Sequence, residues 1–355
     1  LPAARRCATN DGVGCVVTGF GLVSPRLGGA GEAGEKGWEI PTQSIPADKR
    51  GRIGRLDRLC RLFLSASYLA VDDASLAPGE VAADRIGLSF GTGLGCLLTN
   101  AEFYQKVVEQ GPKAASPRLF AYTVSSAAAG EVSIALGITG PNATQHAGIA
   151  AGLAAVGYGF DLIEMGRADV VLAGGADACG PALIEALGNM GLVKARGQAR
   201  PFADAVPGVV PSEGAGILVL EGAQSAARRG VAPRASIAGY AAGFEPSLAS
   251  AAPRSGGIAA TMRRALTHAG VEPDGVDLVV ASAHGTPCDA AELAAIREVI
   301  GDRAEVWAPK AEGDEAFAAS AVLGMARALD RNGAAVVVVN SLCYSGNVVS
   351  LVLTR

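Results

Sequence analysis

The chain holds three histidines, His146, His268 and His284, so acid–base chemistry has few side chains to draw on. His284 follows an apolar strand-like run and precedes Gly285-Thr286-Pro287. That is a loop at a strand's carboxyl end, where open α/β sheets place their sites. His268 falls near the end of an amphipathic helical segment and reads as a solvated helix residue. His146 precedes a helix of small residues and reads as a hydrogen-bonded structural side chain. The seven cysteines, at 7, 15, 60, 96, 179, 288 and 343, show no paired spacing of a zinc site and read as reduced core thiols. Gly91-Thr92-Gly93-Leu94-Gly95 follows a strand but lacks the dinucleotide-binding spacing, so its glycines are expected to serve close backbone packing or a turn. By spacing alone, no cysteine, serine or lysine stands out as a nucleophile.

The elements that would hold these residues alternate. Apolar β-branched runs predict strands at Gly14–Gly19, Ile86–Phe90, Val170–Ala173 and Gly216–Leu220. Helical spacing covers Arg55–Asp73, Ser125–Gly137 and Ala147–Met165, with Gly28–Lys49 as a surface loop. The theme repeats: strands at Ala235–Tyr240, Val276–Ala281, Ala335–Asn340 and Val348–Leu353, and helices at Gly257–His268, Ala290–Ile300 and Phe317–Asp330. No stretch reads as an interdomain linker. The expectation is an α/β fold of two intimately packed halves, residues 1–222 and 223–355.

Composition narrows the function classes. Half the residues are hydrophobic and 18% are charged, and the net charge of −4 gives no basic field for nucleic acid or anionic lipid. Leu1–Asn10 contains no apolar stretch of signal-peptide length, and no run of about 18 apolar residues occurs anywhere. The expectation is a soluble cytoplasmic protein with no nucleic-acid or membrane partner.

Four segments, in order, resemble signatures of the β-ketoacyl synthases. They are Val16-Val17-Thr18-Gly19-Phe20-Gly21 with Ser24-Pro25; Ala173-Gly174-Gly175-Ala176-Asp177; Arg200-Pro201-Phe202 with Ser212-Glu213-Gly214-Ala215-Gly216; and Ala283-His284-Gly285-Thr286. The resemblance implies a thiolase-like fold, two related halves in stacked α-β-α-β-α layers, joined to a partner through a central strand. It implies no metal or organic cofactor.

Within that resemblance the catalytic positions depart from the family pattern. Ketosynthases carry a nucleophilic cysteine at the start of the helix after a Gly-Pro turn, where the helix N-terminus lowers the thiol pKa. Gapless counts forward from Gly140-Pro141 and back from Ala173-Gly174-Gly175 both reach Ile149. Of the two family histidines that polarise the thioester, His284 matches the first. The second should follow Lys310 by five residues, and that position is Glu315. The closing turn Leu342-Cys343-Tyr344-Ser345-Gly346-Asn347 is expected to lack both the double glycine and the aromatic gate of active enzymes. Ala147–Gly152 and Ala308-Pro309-Lys310 resemble chain length factors instead, though those commonly carry glutamine where Ile149 stands.

The resemblance therefore implies a non-condensing subunit of a type II polyketide synthase. Such a chain pairs with a catalytic ketosynthase and, with an acyl carrier protein delivering the growing chain, shapes the tunnel that limits its length. Phe120, Tyr122, Thr123 and Val124 are the implied tunnel or interface residues. Two other readings stay open: a stand-alone acyltransferase or hydrolase using His284 with a water or other base, and a bare scaffold with no tunnel.

Overall fold

The computed structural model describes residues 14–25, 53–193, 200–203, 208–331 and 333–355. The loop expected at Gly28–Lys49 lies outside them. The strands are β1 (Cys15–Val23), β2 (Ile86–Gly91), β3 (Asn142–Gln145), β4 (Val170–Asp177), β5 (Gly214–Gly222), β6 (Ala235–Phe244), β7 (Leu278–Val280), β8 (Glu305–Trp307), β9 (Val336–Leu342) and β10 (Asn347–Thr354). The helices are α1 (Arg58–Asp73), α2 (Leu97–Gln110), α3 (Pro117–Phe120), α4 (Ala127–Leu136), α5 (Ala151–Glu164), α6 (Pro181–Asn189), α7 (Ala223–Arg229), α8 (Gly256–Ala269), α9 (Cys288–Val299) and α10 (Ser320–Asp330).

Strand order is β3-β2-β4-β5-β1-β6-β10-β9-β7-β8. Taking each half from its outer edge inward, the first runs 3-2-4-5-1 and the second 8-7-9-10-6, the same order with five added to every strand. The chain thus builds one five-stranded unit twice. Among the described strands, the two units are joined in the sheet where Cys15–Val17 pair with Ala235–Ile237.

Alternation along the strands sorts side chains into layers. Val171 and Ala173 of β4 face inward, with Leu218, Leu220, Val337, Val339, Leu351 and Leu353, onto α5 and α10. Val170 and Leu172 face outward beneath α1 and α4. Val338, Val348 and Val352 lie beneath α8 and α9. The result is the expected helix–sheet–helix–sheet–helix stack, with α5 and α10 as its middle layer.

That middle layer explains why α5 is built from small residues. A Cβ on Gly152 would come within 1.9 Å of the Ala318 carbonyl oxygen, so the backbone before α10 touches the first turn of α5. Helix α5 also starts later than its composition suggests, at Ala151 rather than Ala147. Gly148 is left-handed (φ 58°) and ends helical continuity there. Helix α1 begins at Arg58, three residues after the expected Arg55, where its N-cap Asp57 accepts from the Cys60 amide at 2.9 Å.

Two elements escape the sequence pattern. Strand β3 is short and polar and forms one edge of the sheet, paired only with β2. Helix α2 buries only Thr99, leaving Tyr104 and Val108 exposed.

Candidate functional site

Strand ends and the starts of α5 and α10 converge on one buried polar cluster. Ile149 sits just before α5, 5% exposed, in the shared core with Cys343 and Phe317. Its carbonyl accepts from Ser341 Oγ at 3.3 Å. The neighbouring Gly148 must be glycine, because a Cβ there would meet Cys343 Sγ at 2.2 Å.

His284 lies in the loop after β7, held from below by Asp289. That carboxylate accepts from the amides of His284 (3.0 Å), Gly285 (2.8 Å) and Thr286 (3.3 Å). Lys310 Nζ has three acceptors for its three hydrogens: Ser282 O (2.9 Å), His284 Nδ1 (2.9 Å) and Glu315 Oε2 (2.7 Å). With His284 neutral, Nδ1 accepts from Lys310 and the ring proton sits on Nε2. A protonated ring would instead turn Nδ1–H toward Glu315 Oε2, 3.2 Å away.

Glu315 is buried and doubly held. Its Oε1 accepts from the Phe317 amide (2.8 Å) and Ser320 Oγ (2.7 Å). Burial alone would raise its pKa, but Lys310 and then His284 outweigh that and hold it down at about 2. At neutral pH it is therefore a carboxylate that accepts hydrogen bonds and donates none. Its backbone is pinned as well, Glu315 N to Val210 O and Ser212 N to Glu315 O, both 2.8 Å.

A depressed acid pKa contributes stability that is fully present above the ordinary value of 4.5 and is lost as pH falls toward 2. Replacing Glu315 with Gln is expected to cost about 3–5 kcal/mol at pH 7, because Lys310 stays buried without its counter-charge. The gap between the two proteins should narrow on acidification below pH 4.5. Denaturant melts at pH 7 and pH 3.5 check this, and an unchanged gap would contradict it.

Asp177, the last residue of the Ala173–Asp177 signature and of β4, has a role that sequence reasoning did not assign. It accepts from Thr92 Oγ1 (2.6 Å) and from the amides of Gly93 (3.0 Å), Leu94 (2.9 Å) and Ala318 (2.9 Å). Burial pushes its carboxyl up, partly offset by Thr92 and those amides. It ties the glycine-rich loop to the segment before α10. The loop glycines serve close packing, since a Cβ on Gly91 would lie 2.1 Å from Ala151 O.

The closing turn differs from expectation in one respect. The turn does carry an aromatic residue over the site, the Tyr344 ring, whose centroid lies 5.3 Å from that of His284. The other histidines stay apart from this cluster. His268 is exposed near the end of α8, its Nδ1 2.9 Å from Tyr240 O. His146 is exposed just after β3.

Of the four tunnel or interface residues, Phe120 and Val124 face outward, 65% and 55% exposed. Tyr122 packs against the chain's own outer core and bonds Glu131 Oε1 at 3.3 Å. Thr123 is half-buried, and its carbonyl accepts from Cys96 Sγ at 3.0 Å. Among the described residues no cluster of metal-ligating side chains occurs, and no helix is long and apolar enough to cross a membrane.

A twice-built five-stranded unit closed over a shared helix layer, with its polar cluster at the starts of the two central helices, defines the thiolase-like class. Within it the chain belongs to the β-ketoacyl synthase family, with residues 43–226 matching the N-terminal domain and 234–331 the C-terminal domain. A 3-oxoacyl-[acyl-carrier-protein] synthase 2 of Staphylococcus aureus is 34% identical over 260 residues, 71% of this chain and 64% of that protein. A Synechocystis protein of the same name is 32% identical over 262 residues, 70% of this chain and 62% of that protein. The chain thus spans a little under two thirds of these relatives. Among solved structures, the ishigamide ketosynthase/chain length factor superposes with a TM-score of 0.84 at 27% identity, covering 97% of this chain and 99% of that one. A β-ketoacyl synthase from Burkholderia phymatum STM815 gives a TM-score of 0.86 at 22% identity, covering 97% and 99%.

Proposed function

We propose that this chain is the non-condensing partner of a catalytic ketosynthase, a chain length factor of a type II polyketide synthase. The reading rests on Ile149, a side chain that cannot be acylated, which lies at the approach to α5 and to which the gapless counts assign the place of the family's thiol. Glu315 supports it. A buried, ionised carboxylate stands where a second imidazole would be needed, so the site keeps one of three catalytic groups. The likeness to a ketosynthase/chain length factor structure points the same way. The sequence relatives are ketosynthases by name, which fits descent from a condensing enzyme. The acyltransferase or hydrolase reading is weaker, because a thioester needs an activated nucleophile and none stands beside His284 among the described residues.

Exposed surface supports pairing. Among the described residues β3 is an edge strand paired with β2 alone, and Phe120, Val124 and Ile134 are exposed apolar side chains. Helix α2 adds to this, since 14 residues with one buried side chain is marginal as an isolated helix. On this reading the cysteine-containing paralogue covers β3 and residues 116–129, burying roughly 2,000 Å² or more. Co-expression with that paralogue should give a heterodimer on size-exclusion chromatography, and little soluble chain without it. A monodisperse, soluble homodimer that refuses the paralogue would sink the proposal.

A further inference from the structure

The groups around the Glu315 carboxylate form an anion site that happens to be filled from within. Both oxygens are spoken for: Oε1 by the Phe317 amide and the Ser320 hydroxyl, Oε2 by the Lys310 ammonium with His284 Nδ1 beyond. Three of these groups are fixed independently of the carboxylate. Lys310 also binds Ser282 O, Ser320 Oγ also accepts from the Ala316 amide at 2.8 Å, and the Phe317–Ala319 turn is anchored through Ala318 N to Asp177. Phe317 itself adopts a left-handed backbone (φ 50°), uncommon for a residue with a side chain, which aims its N–H at Oε1. Backbone amide, hydroxyl and ammonium directed at one point is how proteins recognise small carboxylates.

We propose that the pocket between Lys310, Ser320 and the Phe317 amide is a binding site for a small free carboxylate, occupied in the native chain by Glu315 as a tethered ligand. The inference does not depend on the partner role. It concerns what the pocket recognises, whichever subunit does the chemistry. It also assigns Lys310 as a captured cation, committed to Glu315, Ser282 O and, when the ring is neutral, His284 Nδ1, rather than a nucleophilic amine.

Glu315→Ala tests this directly. Truncation at Cβ removes the atoms of an acetate ion, so acetate is the matching probe, with formate a smaller one. The variant should melt on the order of 5–10 °C below the parent. Acetate should restore most of that loss with a saturable dose response, formate should do so in part, and neutral acetamide or sodium chloride at equal concentration should not. The parent and Glu315→Gln, whose pockets are filled, should show no saturable response to acetate. The readouts use the full chain, in complex with its partner where that is the form that purifies. If Glu315→Ala cannot be isolated folded, its refolding yield from denaturant in acetate against chloride serves instead. Equal effects of acetate, acetamide and chloride, or an equal response of Glu315→Gln, would overturn the site.

Discussion

The purified chain is expected to form no acyl adduct when mixed with a malonyl or acyl thioester, and to condense none. Ile149 sits in apolar packing just before α5 and offers no group that can attack a carbonyl. Loss of a nucleophile typically costs about six orders of magnitude in turnover, so a cysteine-containing paralogue assayed alongside gives a wide window. Ile149→Cys should supply a thiol and still fail to condense, because Glu315 is held ionised by Lys310 and His284 and cannot donate to a developing oxyanion. Intact-mass spectrometry checks the first statement and a product assay the second. A stable adduct within residues 140–152, or condensation by Ile149→Cys alone, would show that the site retains chemistry denied to it here.

The second large effect concerns product length. Phe120 and Val124 project from the isolated chain, and in the proposed heterodimer they would meet the partner at the far end of the tunnel. Replacing both with Ala should leave the fold intact, since neither is in the chain's own core. In a stable complex the products should lengthen by about one or two extension units while the first condensation is little changed. Tyr122 is the wrong residue for this test. Its ring packs inward and its hydroxyl reaches Glu131, so Tyr122→Ala should cost stability before it alters any tunnel. An unchanged product distribution from an intact Phe120→Ala, Val124→Ala complex would leave the segment a purely structural role.

How far the sequence could be read depended on where side chains found their partners. Helix α1 was legible because Leu59, Leu62, Phe63 and Ala66 all face one core. Strands β4 and β5 were legible because nearly every residue is buried, which produces unbroken apolar runs. Helix α2 was not, because among the described residues only Leu98 of its apolar side chains packs against a core, while Tyr104 and Val108 are exposed. Strand β3, Asn142-Ala143-Thr144-Gln145 on an edge, carries no hydrophobic period to mark it. The positions of Ile149, His284, Lys310 and Glu315 came from motif counting, and the structure brings the last three into direct contact. Asp177 was visible only as the last residue of a signature, and its role was not, because its partners lie 85 residues before it and 141 after it, a convergence that no local pattern encodes. The Tyr344 ring over His284 was misjudged because the turn was read by its missing glycine rather than by its side chain.

The repeated strand order has a consequence for how such a subunit could ever regain activity. Helix α5 lies between β3 and β4, and α10 between β8 and β9, so the two helices are counterparts in the duplicated plan. Ile149 and Glu315 each stand just ahead of one of them. On the proposed reading the ancestral reactive centre was assembled half from each copy, and a change has since become fixed on both sides. Reversion must then cross a valley. A thiol at 149 gains nothing while a carboxylate occupies the opposite side, and an imidazole at 315 strips Lys310 of its counter-charge before any thiol exists to benefit. Neither first step improves on the present protein, so on the proposed reading the duplication that once made the centre two-sided now holds the lineage to a partner's role.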